Sequence, residues 1–187
     1  MKKRCGWVNL DCPQYVKYHD EEWGVKSHDD LYLFEMLILE GAQAGLSWLT
    51  ILKKRENYRR AFDSFDFEKI AKYDEKKIEE LLLNTGIVRN RLKIRSTVSN
   101  ARAFIQIREG FGLFASYVWE FVNDQTIKGG WNKRTEIPAT TKISDLISKD
   151  LKKRGFNFVG PTIIYAFMQA VGLVNDHEKS CFRYGEI

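Results

Sequence analysis

Apolar residues recur at helical spacing through most of this chain, and strand-like alternation does not persist beyond a few positions. The almost wholly apolar run over 31–44 predicts a buried helix, with Asp29 or Asp30 as its N-cap. Further helices are predicted over 47–62, from 66, over 74–84, 89–108, 114–123, 144–154 and 159–172. We therefore predict an all-α protein.

Two stretches depart from this pattern. Residues 1–28 mix aromatic and polar side chains without a helical stripe, so we expect them to be irregular. The stretch 128–141 contains a pair of glycines and a proline, and we expect a loop there. A chain of 187 residues suits one large domain, or two small lobes that share a core.

Composition narrows the class of protein. Hydrophobic residues make up 44% of the chain and charged residues 29%, which is typical of a globular protein rather than a disordered one. The net charge of +5 permits an anionic partner but does not require one. The sequence has no apolar segment typical of a signal peptide and no apolar run long enough to span a bilayer. We expect a cytoplasmic protein without membrane contact.

Cysteine and histidine residues stand near both ends of the chain. Cys5 and His19 lie near the start, and His177 and Cys181 lie near the end with a spacing that would suit one helical turn. Two thiolates and two imidazoles form a closed tetrahedral set, which suits a structural zinc ion and would join the termini. The alternatives are unrelated free thiols and surface histidines, or Cys12 in place of Cys5.

The segment 78–101 has the pattern of two helices joined by a tight turn. Gly86 permits the turn, and the apolar Val88 would anchor it inward. Backbone N–H groups at the start of the second helix could then face a DNA phosphate, with Arg89 and Arg91 beside them. The alternative is an ordinary helix turn with a solvated basic face.

Glu40 ends the apolar run of the predicted helix over 31–44, so its carboxylate should be at least partly desolvated. A buried charge is usually paired with an opposite charge or belongs to a binding or catalytic site. The small residues nearby would let a ligand or a DNA backbone approach, namely Gly41, Ala42, Ala44 and Gly45. The alternative is that Glu40 pairs with a nearby arginine. We expect Glu35, nearer the helix start, to be a surface or capping acid.

Aromatic residues accompany this carboxylate. Trp48 lies eight residues beyond Glu40, and the segment before the helix contains Trp7, Tyr15, Tyr18 and Trp23. Aromatic faces together with an anionic acceptor favour a flat, cationic ring as ligand. The alternative is that these aromatic side chains are ordinary core residues.

The chain resembles the bacterial 3-methyladenine DNA glycosylase I family from end to end. The blocks that carry the resemblance are RCGWV, YHDEEWGV, FEMLILEGAQAGLSWLTILKKRENYRRAF, TGIVRNRLKI, SNARAF, YVWEFVN, LKKRGFNFVGPTIIYAFMQAVGLVNDH and the last cysteine. The resemblance implies a helix-hairpin-helix DNA glycosylase fold. It implies one glycosylase domain over 1–187, in which a zinc lobe from both termini and a helix-hairpin-helix lobe over about 30–140 share a cleft.

The resemblance also implies an activity: hydrolysis of the N-glycosidic bond of 3-methyladenine that has been flipped out of alkylated double-stranded DNA. We expect a monomer. The family lacks the usual catalytic aspartate and hairpin lysine of its superfamily, so no lyase step is expected. Two other functions stay open, namely a non-catalytic module that recognises alkylated DNA and a zinc hydrolase.

Residue roles follow from the same resemblance. Glu40 and Tyr18 are expected to hydrogen-bond the methylated base, and Trp48 to stack on it. Further walls of the base pocket fall on Tyr15, Trp7 and Trp23. The zinc ligands fall on Cys5, His19, His177 and Cys181. The DNA contacts fall on Gly45 and Leu46, which would press into the base stack, and on Gly86, Val88, Arg89 and Arg91 of the hairpin.

Overall fold

The computed structural model describes residues 2–187 and is mainly helical. Its α-helices are α1 (Pro13–Glu21), α2 (Asp30–Gln43), α3 (Trp48–Ala61), α4 (Phe67–Ile70), α5 (Glu75–Leu83), α6 (Arg91–Phe111), α7 (Phe114–Glu120), α8 (Lys142–Lys153) and α9 (Pro161–Ala170). Short 3-10 turns cover Asp63–Phe65, Arg134–Glu136 and Phe182–Gly185. The strands β1 (Ile127–Lys128) and β2 (Val174–Asn175) pair in parallel. Within residues 2–187, none of the helices has the length and apolar character that a membrane crossing requires.

Helix α2 lies at the centre of the core. The Asp29 carboxylate caps it by accepting the backbone N–H of Leu31 at 2.9 Å. Helices α3, α6, α7 and α9 all pack against α2, so Leu33 and Phe34 are completely buried. The same packing encloses Glu40 in the last turns of the helix. The apolar run therefore delivers a carboxyl group to the interior.

The expectation that residues 1–28 are irregular is wrong for the middle of that stretch, where α1 forms. Pro13 begins this helix, at a position where no amide donor is needed. Only Tyr18 and His19 are buried along α1, so it lacks the repeated apolar stripe that would identify it from sequence. The helix places Tyr18 beside Trp48 and His19 beside His177.

The expectation that Glu35 is a surface or capping acid is also wrong, because Glu35 is buried. Its carboxylate accepts hydrogen bonds from Arg55 Nε at 2.6 Å and Arg59 Nε at 2.9 Å. Arg55 also donates to Glu22, just after α1, and so links α1, α2 and α3. Two guanidinium groups replace the water that this carboxylate loses. The arginine partner considered for Glu40 is thus found at Glu35.

The two ends of the chain meet. The Phe182 N–H donates to the Lys3 carbonyl at 2.9 Å. His177 and Cys181 do not share a helical turn, which corrects the argument from their spacing. Asn175 explains the difference: its side-chain oxygen accepts the backbone N–H of His177 at 3.1 Å, and such local bonds compete with helix formation.

Candidate functional site

Four buried residues from both ends of the chain form a cluster that could hold a metal ion. Cys5, His19, His177 and Cys181 offer ligand atoms that all lie within 4.8 Å of one another. Cys181 Sγ lies 3.4 Å from His19 Nε2. Ligand bonds of about 2.0–2.3 Å to a tetrahedral ion place neighbouring N and S atoms about 3.5 Å apart, so the cluster needs little adjustment. Cys12 precedes α1 and lies outside this set.

The surroundings of the two imidazoles also suit a metal. Asp20 Oδ1 lies 2.8 Å from His19 Nδ1, and Asn175 Oδ1 lies 3.1 Å from His177 Nδ1, so each ring is oriented by its own neighbour. His177 Nε2 is buried and finds no hydrogen-bond partner among residues 2–187. Burial lowers the pKa of both imidazoles, which favours the neutral form that ligates a metal. The donor set therefore fits an ion on both geometry and chemistry.

A second group of side chains lines a cavity of about 270 Å³ formed by α1, α2, α3, α9 and the segments beside them. The six side chains that the sequence assigned to a base pocket all border it, namely Trp7, Tyr15, Tyr18, Trp23, Glu40 and Trp48. Ligand sites usually measure about 300–1,000 Å³, so this cavity is small. It suits a single flat ring system better than a large ligand.

Glu40 is a buried charged group of this cavity, and it has no compensating partner. The residue is 5% exposed, and burial raises the pKa of its carboxyl group to about 8. Desolvation is the whole cause of this shift, since no cation or hydrogen-bond donor among the described residues counteracts it. Glu35, on the same helix, has two arginine partners. The Glu40 carboxylate would therefore be stabilised by a cation that enters the cavity.

Aromatic rings form the walls around this carboxyl group. The Tyr18 and Trp48 ring centroids lie 5.2 Å apart at an interplanar angle of 46°. Trp7 contacts Tyr15 and Trp23, with centroid distances of 5.1 and 4.9 Å. Burial raises the pKa of the Tyr18 hydroxyl, which stays protonated and can donate a hydrogen bond. These walls attract a flat, electron-poor ring.

The sequence analysis missed the opposite wall of the cavity. Its members are Arg134, Ile137, Pro138 and Ala139 of the 128–141 stretch, Thr162, Tyr165, Ala166 and Gln169 of α9, and Gln43 of α2. A signal for α9 was present, because its polar residues are spaced three and four apart and so share one face of an apolar helix. The 128–141 stretch offered no periodic signal, since tertiary packing alone brings it to the cavity.

Asp176 orders the α9 wall. Its buried carboxylate accepts hydrogen bonds from the Tyr165 hydroxyl at 2.6 Å and from Gln169 Nε2 at 2.7 Å. Trp131 Nε1 donates to the other oxygen at 2.7 Å. Asp176 directly precedes His177, so one segment supports both the cavity wall and the four-residue cluster.

The connection between α2 and α3 borders a recess next to the cavity, and the two share Glu40. Leu46 is 42% exposed, and Gly45 has a φ of +79°, a conformation that favours glycine. Both residues line a recess of about 210 Å³ that Glu40 also borders. Gly41, expected to leave room for a ligand, packs instead against Phe158, whose Cβ would lie 3.2 Å from an added Cβ. Gly45, Leu46 and Ser47 therefore form the exposed part of the connection.

The predicted helix-hairpin-helix segment comprises α5, the turn over 84–90 and α6. The N–H groups of Gly86 and Val88 donate to side chains of the protein, at 2.8 and 3.1 Å. Arg89 is exposed before the helix, and Arg91 in its first turn pairs with a glutamate of α5. The two arginine side chains are thus more accessible to a polyanion than these amides of the turn.

Comparison with known proteins covers nearly the whole chain. Residues 7–184 match the family described as Methyladenine glycosylase. DNA-3-methyladenine glycosylase 1 of Escherichia coli (strain K12) is 53% identical over 182 residues, which are 97% of this chain and 97% of that protein.

Solved structures share the fold. A crystal structure of 3-methyladenine DNA glycosylase I is 53% identical, with a TM-score of 0.93 over 96% of this chain and 98% of that chain. A tyrosine-to-phenylalanine variant of 3-methyladenine DNA glycosylase I, in complex with 3-methyladenine, is 35% identical with a TM-score of 0.93 over 96% of each chain. The backbone that supports the cavity and the cluster is therefore common to these proteins.

Proposed function

The chain belongs to the methyladenine glycosylase family, and from that premise we infer that it is a DNA repair enzyme that hydrolyses the N-glycosidic bond of 3-methyladenine in alkylated DNA. The observation that carries this inference is Glu40, a buried and uncompensated carboxyl group among aromatic rings. A cationic purine offsets the desolvation of that carboxylate, whereas neutral adenine does not. The cavity therefore selects a base by its charge as well as its shape.

Methylation at N3 makes adenine cationic in DNA and weakens its bond to deoxyribose, so the leaving group is good before the enzyme acts. Extrusion of the nucleotide from the duplex costs about a few kcal/mol. In the cavity, Glu40 and Tyr18 hydrogen-bond the base and Trp48 stacks on it, while Trp7, Tyr15 and Trp23 exclude water. As the N-glycosidic bond breaks, its electron pair goes to the base, which leaves as a neutral molecule, and the sugar gains oxocarbenium character. Water then adds to the anomeric carbon and releases a proton to solvent.

DNA is held by surfaces next to this cavity. Leu46 fills the gap that the extruded nucleotide leaves in the stack, and Gly45 lets the DNA backbone approach closely. The hairpin around Gly86 and Val88 lies along the phosphates together with Arg89 and Arg91, contacts that position a duplex without reading its sequence. The side chains assigned to base recognition, Glu40, Tyr18 and Trp48, already meet in one cavity, so the proposed activity needs no second copy, and we propose that the enzyme acts as a monomer.

The four-residue cluster is proposed to hold a structural zinc ion. Two thiolates and two imidazoles fill a tetrahedral shell and leave no position for a reacting water, which disfavours a zinc hydrolase. When bound, the ion supplies no chemistry to the reaction and cross-links the two ends of the chain. Support comes from the orphaned His177 Nε2 and from the mutual distances of the ligand atoms.

The proposed activity is tested by incubating purified protein with methylated DNA and identifying the released bases by mass spectrometry. Release of 3-methyladenine by the wild type, lost in Glu40→Gln, supports the proposal. Tight binding of methylated DNA without any release would identify a non-catalytic recognition module. Borohydride should trap no covalent DNA adduct, because the turn over 84–90 contains no lysine to form a Schiff base.

The pH dependence of excision should report the ionisation of Glu40. We expect kcat/KM to rise about tenfold per pH unit between about pH 6 and pH 8, then to level off, because the free enzyme must lose the Glu40 proton to capture a cationic base. Excision from oligonucleotides containing 3-methyladenine, measured across this range, provides the profile. Residual excision by Glu40→Gln should show no such rise, and a flat wild-type profile would contradict the assigned role.

Trp48→Ala should separate base binding from DNA binding. Stacking on an aromatic side chain contributes about 1–3 kcal/mol per base, so affinity for free 3-methyladenine should fall about tenfold or more. Affinity for undamaged duplex should change by less than about twofold, since the ring faces the cavity. Trp48→Phe, which keeps a flat ring, is the matched control and should retain most base binding. Equal losses for base and duplex would argue against stacking.

A further inference from the structure

Lys93 lies among basic residues of the hairpin but points into the protein. It sits in the first turn of α6, between Arg91 and Arg95, which are exposed and paired with glutamates of α5. Its ammonium group instead donates to two backbone carbonyl oxygens, that of Ala42 at 2.8 Å and that of Ala44 at 2.6 Å. Lys93 thus makes an intramolecular contact, whereas its neighbours Arg91 and Arg95 on the same helix are exposed.

The two acceptor carbonyls lie at the C-terminal end of α2. Ala42 lies in the last turn of α2, and Ala44 is the residue that ends the helix, where carbonyl groups lack amide partners and carry partial negative charge. From Ala44 the chain turns through Gly45 to the exposed Leu46. A cation that holds both carbonyls therefore fixes the direction in which the 44–47 loop leaves the helix.

We propose that Lys93 is a positioning residue that ties the 44–47 loop to the hairpin helix and so holds Leu46 in place to enter the DNA stack. Lys54 of α3, the helix after the loop, reaches back to the hairpin and donates to the carbonyls of Thr85 and Gly86 at 3.1 and 3.4 Å. The hairpin and the loop then move as one body when DNA binds. The proposal rests on the proposed function, because it gives Leu46 a role in opening the duplex.

The first test measures the loop without DNA. Lys93→Met keeps the length of the side chain but removes its donors, so amide hydrogen exchange over 44–47 should accelerate about tenfold or more, with exchange in α9 unchanged. Arg102→Met is the matched control. Arg102 also lies on α6 and donates to a backbone carbonyl, that of Ala71 at 2.8 Å, but it is far along the helix from the loop. This control should leave exchange over 44–47 at the wild-type rate.

The second test measures excision. Lys93→Met should reduce excision of 3-methyladenine from duplex DNA about ten- to hundredfold, a loss typical of a misplaced group, while the affinity for the free base stays at the wild-type value. Because Lys93 acts through Leu46, the Lys93→Met and Leu46→Ala double variant should excise the base no more slowly than the less active of the two single variants. Lys93→Arg, which can donate to both carbonyls, should restore most of the excision rate.

Two outcomes would overturn the proposal. Unchanged exchange over 44–47, together with a salt dependence of DNA affinity that loses about one unit of slope, would make Lys93 a phosphate contact. Fully multiplicative losses in the Lys93→Met and Leu46→Ala double variant would mean that the two residues act independently. If the wild type released no base at all, the proposed function would fail, whereas the exchange result would still report whether Lys93 holds the loop.

Discussion

Glu40→Gln will lose excision by about a hundredfold or more and will nevertheless be more stable than the wild type at pH 8. The loss follows because an amide cannot neutralise a cationic base. The gain follows because the buried carboxyl group has no partner to offset its desolvation. One substitution should therefore separate the contribution of this group to catalysis from its cost to stability.

The sign of the stability effect comes from proton binding. The pKa of Glu40 is raised in the folded state to about 8 from an ordinary 4.5, so between these values the folded protein holds a proton that the unfolded chain has released. The free energy of unfolding then falls as pH rises, by at most about 1.4 kcal/mol per unit. The advantage of Glu40→Gln should be on the order of 2–4 kcal/mol at pH 8 and should vanish near pH 4.5. Urea unfolding at both pH values measures it.

Glu35→Gln is the matched control, on the same helix and equally buried. Its carboxylate pairs with Arg55 and Arg59, so the variant leaves the buried Arg55 with Glu22 as its one remaining carboxylate and should lose about 3 kcal/mol of stability. The two substitutions therefore have opposite signs. A destabilised Glu40→Gln at pH 8 would show that the Glu40 carboxylate is structural, and a fully active one would remove Glu40 from the mechanism.

Local patterns in the sequence predicted much of the fold. The buried helix over 31–44 was predicted within one residue of α2, because a cap and an apolar run are properties of neighbouring residues. The six side chains assigned to a base pocket do line one cavity, and the four cysteine and histidine residues assigned to a metal do cluster. Residue chemistry together with the family resemblance was enough to bring these residues together, whereas their roles stay predictions.

What sequence could not supply depends on contacts between distant segments. Helix α1 was missed because its buried face is only Tyr18 and His19. The opposite environments of Glu35 and Glu40 could not be distinguished, since arginines of α3 reach one carboxylate and not the other. Lys93 looked like one more basic residue of the hairpin, and only the folded chain shows that it reaches Ala42 and Ala44.

Cys181→Ser should remove the proposed zinc ion and lower the melting temperature by about 10–20 °C. A lost ligand opens a cross-link between the two ends of the chain, and several kcal/mol of stability correspond to such a shift at this size. Cys12→Ser is the matched control, because Cys12 lies outside the cluster. It should keep its metal and its melting temperature. Elemental analysis and thermal unfolding of both variants give the comparison.

Cys181→Ser should reduce thermal stability more than it reduces the excision rate of the folded protein. The reacting base would be held by Glu40 and Tyr18, which are not ligands, so Cys181→Ser should retain most single-turnover activity well below its melting temperature. Its KM should rise, because the rings of Trp7 and Trp23 pack against His19 and His177, with centroid distances of 5.3 and 4.5 Å, and would loosen with them. Equal metal loss in Cys12→Ser would mean that the ligand set is wrong. A Cys181→Ser protein that stays folded but cannot react at any temperature would make the ion part of the chemistry.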